Sequence, residues 1–136
     1  MNRLQSIFAS TPADFGLLVI RLYLGATLAL AHGLAKVTDL PGFIHGIGAR
    51  VPLPGLLGPA AAFSEFLGGL LLAIGLFTRP AAFFVLATML VAGFHIHAND
   101  PFLKKELAFT FAAVALGILL AGAGRLSVDG RAAGEV

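Results

Sequence analysis

Long apolar runs divide this sequence, and each is close to the ~20 residues that a helix needs to cross the hydrocarbon core of a bilayer. Charged side chains are sparse within the runs and collect mainly in the segments between them. Runs of this length are typical of transmembrane helices rather than of strands or of helices in a soluble core. The pattern therefore predicts membrane-spanning helices at about residues 14–35, 56–77, 81–98 and 106–124.

Residues that begin and end helices mark the borders of these runs. Thr11 and Asp14 have the spacing of a capping box at the start of the first helix. The Asp100-Pro101 dipeptide is expected to cap the fourth helix in the same way. Gly122 and Gly124 predict the end of that helix before a polar tail.

The connections between the runs predict the topology. The second and third helices, and the third and fourth, are joined by short segments and should be antiparallel neighbours. The longer stretch 37–55 mixes Phe43 and Ile47 with His45, which predicts a short amphipathic helix on the bilayer surface. The predicted fold is all-α, a single domain over residues 1–136: an integral membrane four-helix bundle with one longer loop between helices 1 and 2 and a short polar tail at 125–136.

Composition supports the membrane class. Hydrophobic residues make up 58% of the chain and charged residues 12%, with a mean hydropathy of +0.94. A soluble domain of this size needs more charge to coat its surface, and a disordered chain needs far less hydrophobicity. A cleaved signal peptide ending near Ala31 is disfavoured, because Arg21 interrupts the apolar run and no compact basic segment precedes it.

Charge and cysteine content exclude further classes. The net charge is +2, but the nine cations are spread along the chain, so no nucleic-acid interface is expected. The absence of cysteine excludes disulfides, thiolate metal sites and thiol redox chemistry carried by this chain. Cations flank the helices four against four, so the positive-inside rule gives no orientation. We place both termini in the cytoplasm as an expectation only.

Ionisable residues within or beside the spans are the main candidates for function. An unpaired charge in hydrocarbon costs about 2.5–3.5 kcal/mol on insertion scales, so these side chains should face the bundle interior. Small residues that share their helical faces should form the contacts between helices. The predicted polar interior comprises Arg21, His32, Lys36, Glu65, His95 and Glu106, and the predicted packing glycines are Gly25, Gly68, Gly69 and Gly117.

Helix rise gives each polar residue an approximate depth. Arg21 and Glu65 fall within about 7–10 Å of each other in depth, a gap that an arginine side chain largely spans. We therefore expect these two to pair, or to share a buried water network, in the bundle centre. His32 and His95 should form a second layer, with Glu106 and Lys36 nearer the interface, and the pair itself could be a structural clamp or a ligand site.

Several ligand chemistries are open at this stage. Histidines from two helices could in principle bind haem or a metal, but without regular ligand spacing hydrogen-bonded interface histidines are favoured, and no metal site is predicted. The chain has 12 phenylalanines, most of which should face lipid. An aromatic crevice that binds a quinone or a lipid tail is a further candidate.

Three segments resemble motifs of the DoxX/DoxD family of small bacterial membrane proteins. The first helix carries Arg21-x3-Gly25-x6-His32-Gly33-x2-Lys36. The second motif is Glu65-x2-Gly68-Gly69-x2-Leu72-x2-Gly75-x3-Arg79-x-Ala81-Ala82. The third, Gly122-x-Gly124-Arg125-Leu126-Ser127-x-Asp129, resembles the family's ending after helix four. The resemblance extends over about residues 16–129.

The resemblance implies a four-helix bundle in the bacterial inner membrane. It implies less about function, because members of the family have different roles. DoxD relatives are linked to thiosulfate:quinone oxidoreduction, and some DoxX members to oxidative-stress complexes with soluble redox partners. Our leading interpretation is an accessory or anchoring subunit of a membrane-associated redox system, not catalytic on its own. It would contact other membrane or peripheral redox subunits, or a second copy of itself, and could bind quinone or lipid in the bundle.

Two other function classes stay open. In the first, the chain is a quinone-linked oxidoreductase subunit of the thiosulfate:quinone type, and His32, Glu65 and His95 bind or protonate the headgroup. In the second, the chain is a small proton or solute conduit that uses Arg21, Glu65 and His32. Without cysteine, any redox role needs a bound quinone, a haem or a partner subunit.

Overall fold

The computed structural model describes residues 10–134, and this part of the chain contains helices, turns and no strand. The first long helix runs without a break from Pro12 to Thr38 and combines three segments of different winding. We number the α-helices in chain order. They are α1 (Pro12–Ala26), α2 (Leu34–Thr38), α3 (Leu40–Ile47), α4 (Pro54–Ile74), α5 (Thr78–Val91), α6 (Phe102–Ala121) and α7 (Val128–Ala132), with π-helical segments at Thr27–Gly33 and Ala92–Ile96.

Three helical stretches of the described residues are long and apolar enough to cross a membrane: Pro12–Thr38, Pro54–Ile74 and Thr78–Ile96. The all-helical prediction is confirmed, with borders that differ by a few residues from those expected. The long helix α6 has a comparable length but begins with the charged side chains of Lys104, Lys105 and Glu106. The structure thus supports three candidate spans, and the fourth stays a prediction.

Helix ends follow the sequence signals at most borders. Thr11 caps α1 through a complete capping box with Asp14, as predicted. Gly122 ends α6 with a φ of +87°, also as predicted. The expected cap of α6 by Asp100 is wrong: the cap residue is Pro101, and the Asp100 carboxylate instead bonds to His97.

Helix α4 occupies the middle of the bundle. It packs against the first long helix on one side and α5 on the other, and α3 folds over its first turns. Helix α6 packs mainly against α5 and touches α1 more lightly. The apolar core lies between these helices and includes Leu24, Leu28, Leu72, Val85, Met89, Phe111 and Ile118.

Glycines allow the backbones of the first helix and α4 to touch. A Cβ on Gly69 would lie 2.7 Å from the Gly25 carbonyl oxygen and 2.8 Å from the Ala29 nitrogen, and a Cβ on Gly25 would collide with the Gly69 carbonyl. Gly68 is buried against Val85 of α5. Gly25, Gly68 and Gly69, the predicted packing glycines, therefore all lie at close contacts between helices, where small residues permit such an approach.

The inward face predicted for α6 is wrong. Gly117 is exposed, and among the described residues no atom lies within 4 Å of a Cβ placed there. The buried face consists instead of Phe111, Ala112, Ala115 and Ile118. The sequence predicted correctly that this segment is helical, but it assigned the wrong face to the interior. The error arose because α6 carries small residues on more than one face.

The two π-helical segments were not predicted. A π turn holds an extra residue relative to an α turn, so it rotates the following side chains away from their α-helical phase by about 100°. The segment Thr27–Gly33 precedes Lys36, and the segment Ala92–Ile96 contains His95 and directly precedes His97. Both segments therefore redirect polar side chains near the same end of the bundle.

Candidate functional site

The buried guanidinium of Arg21 binds backbone carbonyls rather than a carboxylate. Its Nη1 donates to the carbonyl oxygens of Leu72 at 2.9 Å and Ala73 at 3.2 Å, and its Nη2 donates to that of Leu126 at 2.8 Å. Leu72 and Ala73 belong to the last turn of α4, where the final carbonyls lack the usual α-helical partners, and the Leu72 carbonyl also accepts a bond from the Gly75 N–H at 3.2 Å. Arg21 therefore caps the C-terminus of α4, where a positive charge also complements the helix dipole.

Gly75 shapes the same region. It ends α4 in the left-handed conformation with a φ of +71°, and its N–H bonds to the carbonyls of Leu71 and Leu72. A Cβ at this position would lie 2.5 Å from Nη1 of Arg21 and would collide with Ser127. Glycine is therefore required both by the backbone conformation and by the close approach of the arginine.

Asp129 completes what we call the terminal cluster, which consists of Arg21, Gly75 and Asp129. Its carboxylate accepts hydrogen bonds from the backbone N–H groups of Phe77 at 3.0 Å and Thr78 at 2.8 Å, which begin α5. Its own N–H donates to the Gly75 carbonyl at 2.9 Å. Burial raises the pKa of Asp129, but these hydrogen bonds and the Arg21 charge outweigh it and hold the pKa below its ordinary value.

The predicted pair between Arg21 and Glu65 is wrong. Arg21 donates to the carbonyls of Leu72, Ala73 and Leu126 at one end of the bundle. Glu65 pairs with Lys36 instead. The depth estimate failed because an arginine has a second way to satisfy its donors, namely the unpaired carbonyls at a helix end. That alternative was available from the sequence, since Gly75 marks where α4 ends.

Lys36, which is partly exposed, and the buried Glu65 form an ion pair away from the terminal cluster. The Lys36 Nζ lies 2.5 Å from the Glu65 Oε2, and Glu65 is only 4% exposed. The ammonium also lies 5.1 Å from the centre of the Phe43 ring, which is a cation–π contact from α3. The pair joins the end of the first long helix to the middle of α4.

A mostly apolar cavity of about 260 Å³ adjoins this ion pair. It lies between α4 and α5 beneath α3, and it opens on the outer surface, where Phe84 is 60% and Val91 36% exposed. We call it the lateral cavity. Its lining comprises Lys36, Phe43, Ile47, Val51, Leu57, Ala60, Ala61, Glu65, Phe84, Ala87, Thr88, Val91, Ala92, Ile96 and His97.

His97 also lines the cavity, together with Lys36, Glu65 and Thr88, and was not among the predicted site residues. Its Nδ1 lies 2.7 Å from the Asp100 Oδ2, and hydrogen bonding to the imidazole lowers the pKa of Asp100. The sequence contained a signal for this pair, because His97 and Asp100 are three residues apart at the end of a predicted span. Sequence reasoning favoured His95 instead because it assumed an unbroken α-helix.

The remaining predicted interior residues do not join the site. His32 is half-buried and packs edge-to-face on Phe111, with 5.8 Å between ring centres. His95 and Glu106 are exposed, so their predicted interior positions are wrong. His95 lies within the π-helical segment Ala92–Ile96, whose winding turns it away from the interior. Glu106 lies on the outward face of α6.

The site can bind both a hydrogen-bond donor and a hydrogen-bond acceptor. The Lys36 ammonium has three N–H donors, of which Glu65 needs one, and the carboxylate has several acceptor positions. The rest of the wall is mostly apolar, which is typical of pockets for small hydrophobic molecules with a few placed polar groups. Within the residues that the structure describes, no group of three histidine or acidic side chains could hold a metal.

Comparison with known proteins finds relatives that match most of this chain. An uncharacterized protein of Haemophilus influenzae is 33% identical over 78% of this chain and 83% of its own length. The Escherichia coli protein named "Inner membrane protein YqjF" is 29% identical, over 85% of this chain and 91% of its own. The Bacillus subtilis protein named "Putative oxidoreductase CatD" is 26% identical, over 85% and 86%. No solved structure matches the chain significantly.

The family comparison covers the Lys36–Glu65 pair and the Arg21 and Gly75 part of the terminal cluster, but not Asp129. The DoxX family model matches residues 16–98, which include Arg21, Lys36, Glu65 and His97. This match extends over more than half of the chain, and the Haemophilus influenzae relative exceeds 30% identity over most of both sequences. The chain therefore belongs to the DoxX family of membrane proteins.

Proposed function

We propose that this DoxX-family protein binds a membrane-soluble quinone or lipid in the lateral cavity and serves a membrane-associated redox system as an accessory or anchoring subunit. The observation that carries the proposal is the Lys36–Glu65 pair, buried beside an apolar cavity that opens on the outer surface of the bundle. A molecule dissolved in the bilayer could enter through such an opening without crossing the polar loops.

The two buried charged sites differ in what they do for the fold. Arg21 donates to three backbone carbonyls at the end of the bundle, two of them in the last turn of α4. Lys36 and Glu65 satisfy only each other among the described side chains and backbone groups, although burying both charges is costly. An ion pair retained beside a cavity without a capping role is better explained by a bound ligand than by helix stability.

The redox assignment is supported by names rather than by chemistry in this chain. The Bacillus subtilis relative is named as an oxidoreductase and the Escherichia coli relative as an inner membrane protein. We extend both properties to this chain as part of the proposal: residence in the bacterial inner membrane, four spans including α6, and both termini in the cytoplasm. Partner subunits, or a second copy of this chain, would contact the polar loops.

The alternative of a quinone-linked oxidoreductase subunit needs a different set of residues from the one predicted. His95 is exposed and His32 packs on Phe111, so these histidines do not converge on Glu65. Lys36, Glu65 and His97 do line one cavity and are the residues that such a subunit would use. This alternative therefore shares the ligand site of the main proposal and differs only in whether electrons pass through the bound quinone.

The proposal is tested by extracting the protein in mild detergent and identifying by mass spectrometry the quinones, lipids and proteins that remain with it. Ala61→Phe should fill the cavity and lose the bound small molecule. Ala113→Phe, on the exposed face of α6, is the matched control and should keep it. A wild-type protein that reproducibly carries neither a small molecule nor a partner protein would refute the proposal.

A further inference from the structure

We propose that the lateral cavity holds a planar 1,4-quinone or hydroquinone ring at two points, with Lys36 and Glu65 at one end and His97 at the other. This inference rests on the proposed function and selects the quinone class over a lipid. It also names a residue, His97, as the determinant of that selection. The three side chains line the same cavity, and the wall between them is apolar apart from Thr88.

The placement of the polar groups along the bundle axis supports a ligand with two polar ends. Gly68 packs on Val85, so in this antiparallel pair Glu65 lies about level with Thr88. His97 is nine residues beyond Thr88, which corresponds to about 13 Å of helical rise between the two backbone levels. Lys36, Glu65 and His97 all line the cavity in this interval, which leaves room for one ring between its two ends.

The Lys36–Glu65 end of the cavity matches both redox forms of such a ring. A quinone carbonyl accepts a hydrogen bond, which the Lys36 ammonium can donate while it keeps its bond to Glu65. A hydroquinone hydroxyl donates a hydrogen bond, which the Glu65 carboxylate can accept. The pair has no net charge, so it offers no surplus cation for the phosphate of a phospholipid headgroup.

The His97 end has its tautomer set by Asp100. A carboxylate only accepts hydrogen bonds, so the imidazole Nδ1 carries the proton that points at Asp100. Nε2 of the neutral ring then accepts a hydrogen bond from a hydroquinone hydroxyl, and only the protonated ring can donate to a quinone carbonyl. The positive charges of Arg50 and Lys104 attract the Asp100 carboxylate from the loop side. Lys36 and Glu65 are the charged groups on the cavity side.

The aromatic wall favours a flat ring over a lipid chain. Phe43 covers the Lys36 ammonium, and Phe84 borders the opening. At about 260 Å³ the cavity is near the lower limit of ligand pockets, which span roughly 300–1,000 Å³. It therefore accommodates a headgroup, while a prenyl tail would pass through the opening into the bilayer.

The inference is tested by titrating two ligands into the protein in lipid nanodiscs and measuring binding by equilibrium dialysis. The first is decylubiquinol, with hydroxyl groups at both ends of the ring, and the second is a decyl-substituted phenol with one hydroxyl. His97→Ala should weaken decylubiquinol binding by about tenfold, the value of one lost hydrogen bond, and leave phenol binding unchanged. His45→Ala, an exposed histidine outside the cavity, should change neither affinity.

Controls separate the failure of this inference from that of the proposed function. His97→Gln retains a polar group and should recover part of the affinity, provided that all variants keep the wild-type thermal unfolding temperature. Equal decylubiquinol affinity in wild type and both His97 variants, or a wild-type cavity that binds phospholipid and no quinol, would overturn the inference and leave the proposed function standing. A cavity that binds neither would refute both.

Discussion

At the scale of single residues, Arg21 and Glu65 are both nearly inaccessible to solvent yet have different kinds of partner. Arg21 is 0% exposed and bonds to carbonyls at the end of α4, whereas Glu65 pairs with the Lys36 side chain. The sequence correctly predicted that these charges face inward, because hydrocarbon penalises an unpaired charge. It did not predict their partners, because helix-end carbonyls compete with carboxylates for an arginine.

Replacing Arg21 should destabilise the protein more than replacing any exposed arginine. In Arg21→Met the three hydrogen bonds from the guanidinium to the carbonyls of Leu72, Ala73 and Leu126 are lost, and we expect a loss of about 2–3 kcal/mol. Arg79→Met is the control, because Arg79 is exposed and makes one long bond of 3.4 Å to Leu120. Thermal unfolding in detergent measures both, and equal unfolding temperatures would contradict the capping role.

The Lys36–Glu65 pair should behave as one unit. Lys36→Met leaves a buried carboxylate and Glu65→Gln leaves an ammonium without its counter-charge, so each single change should cost several kcal/mol, on the order of 3. The double variant should lose less than the sum of the singles, because neither charge remains. Additive losses in the free energy of unfolding would show that the two side chains are energetically independent.

At the scale of helices, periodicity predicted which segments are helical better than it predicted which way they face. The glycine face of α4 was predicted correctly, because Gly68 and Gly69 share it with Glu65. The face of α6 was misplaced, and the π-helical winding at Ala92–Ile96 exchanged the roles of His95 and His97. Local winding depends on packing against neighbouring helices, and a single sequence does not reveal it.

Glycine substitutions distinguish the buried face of α4 from the exposed face of α6. Gly69→Ala should lower the unfolding temperature by an amount equivalent to about 1–3 kcal/mol, because the new Cβ meets the backbone of Gly25 and Ala29. Gly117→Ala introduces the same atom where the described residues leave open space, so no loss is expected. A destabilised Gly117→Ala and a tolerated Gly69→Ala would reverse the assignment of faces.

Acid should weaken the start of α5 through Asp129. The pKa of this carboxyl is held below its ordinary value of 3.8, so ionised Asp129 stabilises the fold above that pH. The stabilisation is lost as the pH falls from 3.8 through the lower pKa of the folded state. Unfolding temperatures measured across this range should fall less steeply for Asp129→Asn than for wild type. Parallel pH profiles would show that Asp129 does not contribute in this way.

At the scale of the whole molecule, composition alone was enough to identify a helical membrane protein. The candidate site needed the folded structure, because Lys36, Glu65 and His97 come from three separate helical regions. Phe43 and Ile47 of α3 also line the cavity, although the sequence suggested only a surface helix there. Long-range convergence of this kind cannot be obtained from spacing within individual helices.

The number of spans can be tested because the natural chain contains no cysteine. Single cysteines at Asn99 and Ala132, both exposed, lie before and after α6. If α6 crosses the bilayer, a membrane-impermeant thiol reagent should label these two positions from opposite sides. Labelling of both from the same side would limit the protein to three spans.

Photolabelling with an azido-quinone in native membranes tests most directly whether the lateral cavity is the ligand site. We predict cross-links within 57–65 of α4 and 84–97, which include the walls on both sides of the cavity. Unlabelled quinone should compete for these cross-links, and Ala61→Phe should abolish them. Labelling that is confined to the terminal cluster, or that persists unchanged in Ala61→Phe, would contradict the account.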